Sequence, residues 1–179
     1  MMVAPSAIPP TAVFKGKVRP ILGLHTKIED YVLLDTGVLP RAFIRTGQRC
    51  KIKQGVIIRS LDGFVSVGNR VSIGEYTVIA GHGGVTIGDE TIIASHCSIS
   101  AANHIFTDET TSVRYQGETA AGIEIGSNVW IGSRVVILDG VSIASGVIVG
   151  AGSVVTRSLP PNSICVGVPC RVIRLRSKG

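Results

Sequence analysis

Isoleucine or valine recurs at six-residue intervals through most of the second half of this 179-residue chain. Read from Val67, with a shift of two residues after Ile79 and a long interruption after Ile105, the series is Val67, Ile73, Ile79, Ile87, Ile93, Ile99, Ile105, Ile125, Ile131, Ile137, Ile143, Val149 and Val155. Roughly a quarter of the chain is Ile or Val, so chance is a poor account of thirteen such positions. The residue two before each is β-branched or small in nearly every case: Val65, Val71, Thr77, Val85, Thr91, Cys97, Asn103, Ile123, Val129, Val135, Val141, Val147 and Ser153. Residues two apart on a strand share a face. The next position is often Gly, Ala or Ser, as at Gly68, Gly74, Gly88, Gly126, Gly132 and Ala144, and a small residue there suits a sharp bend. Each hexad therefore predicts one short strand and one corner. Six residues cannot bury an apolar face alone, whereas stacked coils share one aliphatic core. Each fully buried Ile or Val contributes roughly 1.5–3 kcal/mol. A helix is disfavoured, because β-branched residues at a spacing of two make no helical stripe.

Composition agrees: 45% of residues are hydrophobic, only 4% aromatic, and 22 are Gly. No run approaches the roughly 18 apolar residues of a membrane helix, so no spanning segment is expected. The opening MMVAPSAIPP has no basic region ahead of a long apolar core, so no secretory signal is expected either. Cys50, Cys97, Cys165 and Cys170 form no CxxC pair and no metal-finger spacing; reduced thiols in a cytoplasmic protein are the simplest reading. The net charge is +6, and no acidic residue follows Asp139, while Arg157, Arg171, Arg174, Arg176 and Lys178 do. A basic end of this kind serves an anionic partner (nucleic acid, anionic lipid or a phosphate-bearing small molecule) or is a solvated tail.

Three segments follow. Residues 1–44 lack the repeat and contain a short helix or strand around residues 28–34. Residues 45–157 are the coil region. Residues 158–179 open with SLPPN, a chain stop, and are expected to fold back or to pack on a neighbour. The repeat fails sharply in one place. Asn103 takes a normally apolar inward position, Phe106 takes the small corner position, and residues 106–122 leave the repeat as a loop. Long loops within regular coils are often functional. Alternation turns His104 outward beside this loop, available to a ligand or a neighbouring subunit. His25, His82 and His96 have no comparable setting; His82 and His96 fall near corners, where polar residues are ordinary. Trp130, one before a repeat Ile, also points outward, with Ile148 one coil above it if a coil is three hexads.

The hexads resemble those of the left-handed parallel β-helix acyltransferases. ANHIFTD, then YQG, then IEIGSNVWIGSRVVILDGVSI resemble the sugar O-acetyltransferases of polysaccharide biosynthesis and the galactoside, maltose and xenobiotic acetyltransferases, over residues 65–175. The resemblance implies an all-β, left-handed parallel β-helix with three hexads per coil, a loop excursion, a C-terminal tail and a homotrimer with sites between subunits. It also implies acetyl transfer from acetyl-CoA to a sugar or polysaccharide-precursor hydroxyl, with no metal, no nucleic acid and no membrane span. His104 becomes the catalytic base; a histidine, with a reference pKa of about 6.5, suits that role near neutrality. Asn103, Asp108 and Gln116 become candidates for acceptor contact, with loop ordering as the other reading of Asp108, Arg114 and Gln116. The end of the chain, GAGSVVTRSLPPNSICVGVPCRVIR, resembles the CoA-binding end of the galactoside enzymes. Trp130, Gly132, Ser133, Ala151, Thr156, Arg157, Arg171 and Arg174 are the implied cofactor contacts, the last two for phosphate, which the planar guanidinium grips bidentately. The N-terminal segment does not look like that of the galactoside and maltose enzymes, which leaves the acceptor open: a nucleotide-sugar amine, serine or an antibiotic hydroxyl are alternatives. A β-helix metal hydratase and a non-catalytic scaffold are the remaining rivals.

Overall fold

The computed structural model describes residues 8–176, and the chain winds through them as a parallel β-helix. Successive strands visit three sheets in turn. Face I holds Val13–Lys15, Leu33–Asp35, Ile57–Arg59, Val78–Ala80, Ser98–Ser100, Val136–Ile137 and Val154–Val155. Face II holds Phe43–Thr46, Phe64–Val67, Val85–Ile87, Ile123–Ile125 and Ser142–Ile143. Face III holds Lys27–Ile28, Lys51–Ile52, Ser72–Ile73, Ile92–Ile93, Trp130–Ile131, Ile148–Val149, Ser163–Val166 and Arg171–Leu175. Every pairing within the three faces is parallel except the last, where Arg171–Leu175 folds back antiparallel on Ser163–Val166. The tail thus packs on its own chain, and Arg176 fastens it by donating to the Gly146 carbonyl at 2.9 Å. Lys178 lies outside the described residues. The architecture is consistent with the left-handed β-helix that the resemblance implies.

Twelve of the thirteen repeat positions are buried, and so are twelve of the thirteen residues two before them. The exceptions are Ile105 and Asn103, the last pair before the loop. Asn103 was expected to point inward; it is exposed, because the chain has already left the coil there. The buried Thr residues bridge coils. Thr77 donates to the Ala94 carbonyl at 3.0 Å and accepts from the Cys97 amide at 3.2 Å; Thr91 does the same with Gly126 and Val129. A buried hydroxyl is tolerated when its hydrogen bonds are made.

Two expectations change. Residues 1–44 do not stand apart: from Val13 onward their strands pair in register with later coils, and the segment at 28–34 is two strand ends separated by a corner at Tyr31. The period hid them because early coils are longer. Leu33 pairs with Ile57, Ile57 with Val78, Val78 with Ser98 and Val136 with Val154, so coils shrink from 24 to 21, 20 and finally 18 residues. Only the last coils are three plain hexads. The small residue that often follows a repeat Ile or Val also has a different cause from the one expected. Gly132 is not in the left-handed region; a Cβ there would come within 2.6 Å of the Ala151 amide on the next coil. The bend is made two residues later, where Arg134 (φ 59°), Tyr76 (φ 57°) and Gly140 (φ 76°) adopt positive φ. A non-glycine residue there costs roughly 1–2 kcal/mol.

Ile131→Ala should lower unfolding free energy by about 2–5 kcal/mol in chemical denaturation. Ile105→Ala should cost about 1 kcal/mol or less, since Ile105 lies outside the core.

Candidate active site

The edge between faces I and II collects the polar residues of interest. The two coils before it turn this edge in four residues; the coil ending at Ser98–Ser100 instead leaves after Ala101 and returns at Ile123. Ala101 is still stacked, its amide donating to the Ala80 carbonyl at 2.9 Å. Beyond it, Asn103–His104 pairs antiparallel with Glu118–Thr119, His104 opposite Glu118. The ladder brings His104 Nδ1 to 3.5 Å from Glu118 Oε1, and the His104 side chain is 61% exposed. The loop's return is pinned from one coil further on. The Asp139 carboxylate accepts from the amides of Ala121 (3.0 Å) and Gly122 (2.9 Å) and from Thr119 Oγ1 (3.2 Å).

The tip of the loop holds itself together. Asp108 Oδ1 accepts from the amide (2.8 Å) and hydroxyl (2.7 Å) of Thr110. Gln116 Oε1 accepts from the Asp108 amide, and its Nε2 donates to the carbonyls of Asp108 and Thr111. The Thr110 hydroxyl, then that of Thr111, holds the Asp108 carboxyl down to about 2. Of the two readings left open for Asp108 and Gln116, these contacts carry loop ordering.

The remaining sequence-chosen residues separate into two edges and a face. Thr156 and Arg157 follow Val154–Val155 and so share the I–II edge with His104. Ser133 and Ala151 lie on the III–I edge, where the Ser133 carbonyl accepts from the Gly152 amide at 2.8 Å and Gly132 abuts Ala151. Trp130, Arg171 and Arg174 lie on face III. Trp130 is 53% exposed and pairs with Ile148, as the hexad count anticipates; Ile92 below it is 52% exposed. One chain therefore does not bring all the expected cofactor contacts together. Burial pushes the thiols of Cys50, Cys97 and Cys170 above the usual range, away from the thiolate a nucleophile needs.

Sequence reasoning missed three residues of this edge. Glu118 and Asp139 become partners of the loop only through the antiparallel ladder and the coil stacking. His82 was set aside as an ordinary corner residue, yet it lines one cleft with Asn103, His104 and Glu118. The pairing of Val78 with Ser98 is the cause: a 20-residue coil sets the turn at His82 directly before the loop's departure point. His96 lies apart, stacked on Tyr76 at the III–I edge. Among the described residues no three His, Cys, Asp or Glu side chains converge as a metal site, and no helix is long and apolar enough to cross a membrane. A hollow of about 330 Å³ on face II, between Phe64 and the loop's return at Gly122, contains none of the expected site residues. The positive charge is also less terminal than expected. Ten Lys and Arg lie between Lys15 and Arg59 against only Glu29, Asp30 and Asp35.

Bacterial transferase hexapeptide repeats, as a six-repeat family profile, match residues 122–157. The match is confined to that segment. Its plain 18-residue coils are the ones matched, which explains why the longer early coils escape the profile. The chain is 42% identical over 52 residues to galactoside O-acetyltransferase of Escherichia coli, covering 29% of this chain and 26% of that enzyme. The matched segments span less than a third of the curated relatives' length. Solved structures align far more broadly. A variant of AntD, an N-acyltransferase from Bacillus cereus in complex with dTDP and coenzyme A, superposes with a TM-score of 0.68 at 26% identity, covering 92% of this chain and 84% of that one. The polySia-specific acetyltransferase NeuO gives 0.65 at 25% identity, covering 94% and 86%.

The Asp108 carboxyl is held below its ordinary 3.8 in the folded chain, so its contribution to loop order is present above that value and is lost as pH falls toward about 2. Protection of the Thr110 amide in an NMR pH titration should persist at pH 5 and vanish over that window. Asp108→Asn should remove the pH dependence.

Proposed function

We propose that this protein is an acetyl-CoA-dependent acyltransferase, and that the acceptor group is a hydroxyl of a sugar or polysaccharide precursor. The observation that carries the reading is the exposed His104 held against Glu118 beside a long ordered loop in a hexapeptide β-helix. Glu118 facing Nδ1 favours the tautomer with a proton on that nitrogen, leaving Nε2 to accept one. The acceptor hydroxyl gives its proton to Nε2 as its oxygen attacks the thioester carbon. The tetrahedral intermediate collapses, the C–S bond breaks, and the thiolate of CoA takes the proton back from His104. Binding both substrates in one groove converts a bimolecular encounter into a local one. None of the cysteines is required, so transfer is direct.

Asn103 borders the acceptor beside His104, and Asp108 and Gln116 order the loop over it. Backbone groups of Gly132, Ser133 and Ala151, with Thr156 and Arg157, line the pantetheine, Trp130 forms an apolar wall, and Arg171 and Arg174 meet the phosphates. These contacts lie on two edges and a face of one chain, which supports a groove formed between copies; the resemblance makes that assembly a homotrimer. The apolar column of exposed Ile92 and Trp130 and half-buried Ile148 is a surface that a neighbouring copy would cover. The similarity to AntD favours one second reading: an amine on a nucleotide sugar as acceptor.

His104→Ala should reduce kcat by at least about two orders of magnitude while CoA still shifts the melting temperature; near-normal turnover would sink the proposal. Arg171→Ala and Arg174→Ala should raise KM for acetyl-CoA more than for dephospho-acetyl-CoA. Equal effects on the two donors would remove the phosphate assignment.

A further inference from the structure

We infer that His82 is a second substrate-contacting residue, one that binds the acceptor rather than the acyl donor; the inference rests on the acyl-transfer reading of His104. A cleft of about 190 Å³ is lined by His82, Ser100, Ala102, Asn103, His104 and Glu118. His82 belongs to it by topology: its turn lies on the I–II edge one coil before the loop departs. Its Nδ1 is buried and has no hydrogen-bond partner in the protein. Buried polar atoms are nearly always paired, so an enclosed, unpaired nitrogen on a ring that borders the cleft marks a side chain whose polar contacts the protein alone leaves incomplete. Imidazole in its neutral form offers one donor and one acceptor, which suits a sugar hydroxyl or amine.

The direction along the prism assigns the side. Strands stack about 4.8 Å apart. Going toward the C-terminus from His104, the same edge passes Asp139 and reaches Thr156 and Arg157, expected donor contacts. His82 lies on the opposite side of His104 from those residues. A group there faces the acceptor that His104 deprotonates and not the CoA arm. His82 thus separates from His104 in kind: it holds the acceptor, and moves no proton.

The test is steady-state kinetics by free-thiol release, with acetyl-CoA and three acceptor probes: isopropyl thiogalactoside, maltose and dTDP-4-amino-4,6-dideoxyglucose. With whichever probe turns over, His82→Phe should raise acceptor KM roughly ten- to hundredfold, as expected for an interaction lost from a buried partner. KM for acetyl-CoA and the CoA-induced thermal shift should stay at wild-type values. His82→Asn retains a side-chain N–H and should fall between wild type and His82→Phe; it carries the test if the phenylalanine variant does not fold. Unchanged acceptor KM in both variants, or KM for acetyl-CoA rising in parallel, overturns the inference and leaves the acyl-transfer reading intact. If the wild-type protein releases no thiol with any of the probes, the acyl-transfer reading fails and this inference falls with it.

Discussion

The parallel backbone ladder is the constraint on which everything else here depends. Each coil hydrogen-bonds to the one before and the one after, so its inward side chains must arrive at the same height as theirs. The interior then accepts only side chains that fill a narrow, repeated space: Ile and Val at one position, Val, Thr, Cys or Ser two residues earlier. Aromatic rings have no room inside, and the only Trp faces outward. The same ladder sets the close approach at Gly132 and forces positive φ at corners such as Arg134 and Tyr76. Strain at those corners is outweighed by the burial and hydrogen bonding that every added coil brings.

The ladder constrains register and leaves coil length free. A coil can carry 24, 20 or 18 residues and still present the same inward face, because additions are absorbed at the corners. The excursion between Ala101 and Ile123 is the extreme case of that freedom. It leaves the core undisturbed, since Ile99 and Ile137 remain buried and the strands that carry them remain paired. A β-helix can thus grow a long loop at an edge without rebuilding its interior, and the loop inherits rigid neighbours from the coils on either side. Asp139 above and His82 below are those neighbours.

Much of the fold was legible from residues alone. The hexads identified the inward positions, and all but Asn103 and Ile105 are buried; both exceptions fall where the repeat itself breaks down. The outward direction of Trp130 followed from strand alternation, whereas His104 is exposed, like Asn103 beside it, because the chain has left the coil there. The N-terminal coils were not legible, because their longer and unequal turns erase the six-residue period while their strands pair normally. Small residues such as Gly74 and Gly132 suit a bend by type, and they are instead sites where adjacent backbones nearly touch.

The candidate site divides in the same way. The sequence by itself determined the inward core and the location of the loop, because these depend on alternation and periodicity along one strand and on where they stop. Only the tertiary structure decided that Glu118 faces His104, that Asp139 fastens the loop, and that His82 shares its cleft. Those contacts join residues 14, 17 to 20, and 22 positions apart. They follow from how many residues each coil spends in its corners, a quantity that the stacked backbone reveals and the repeat pattern does not.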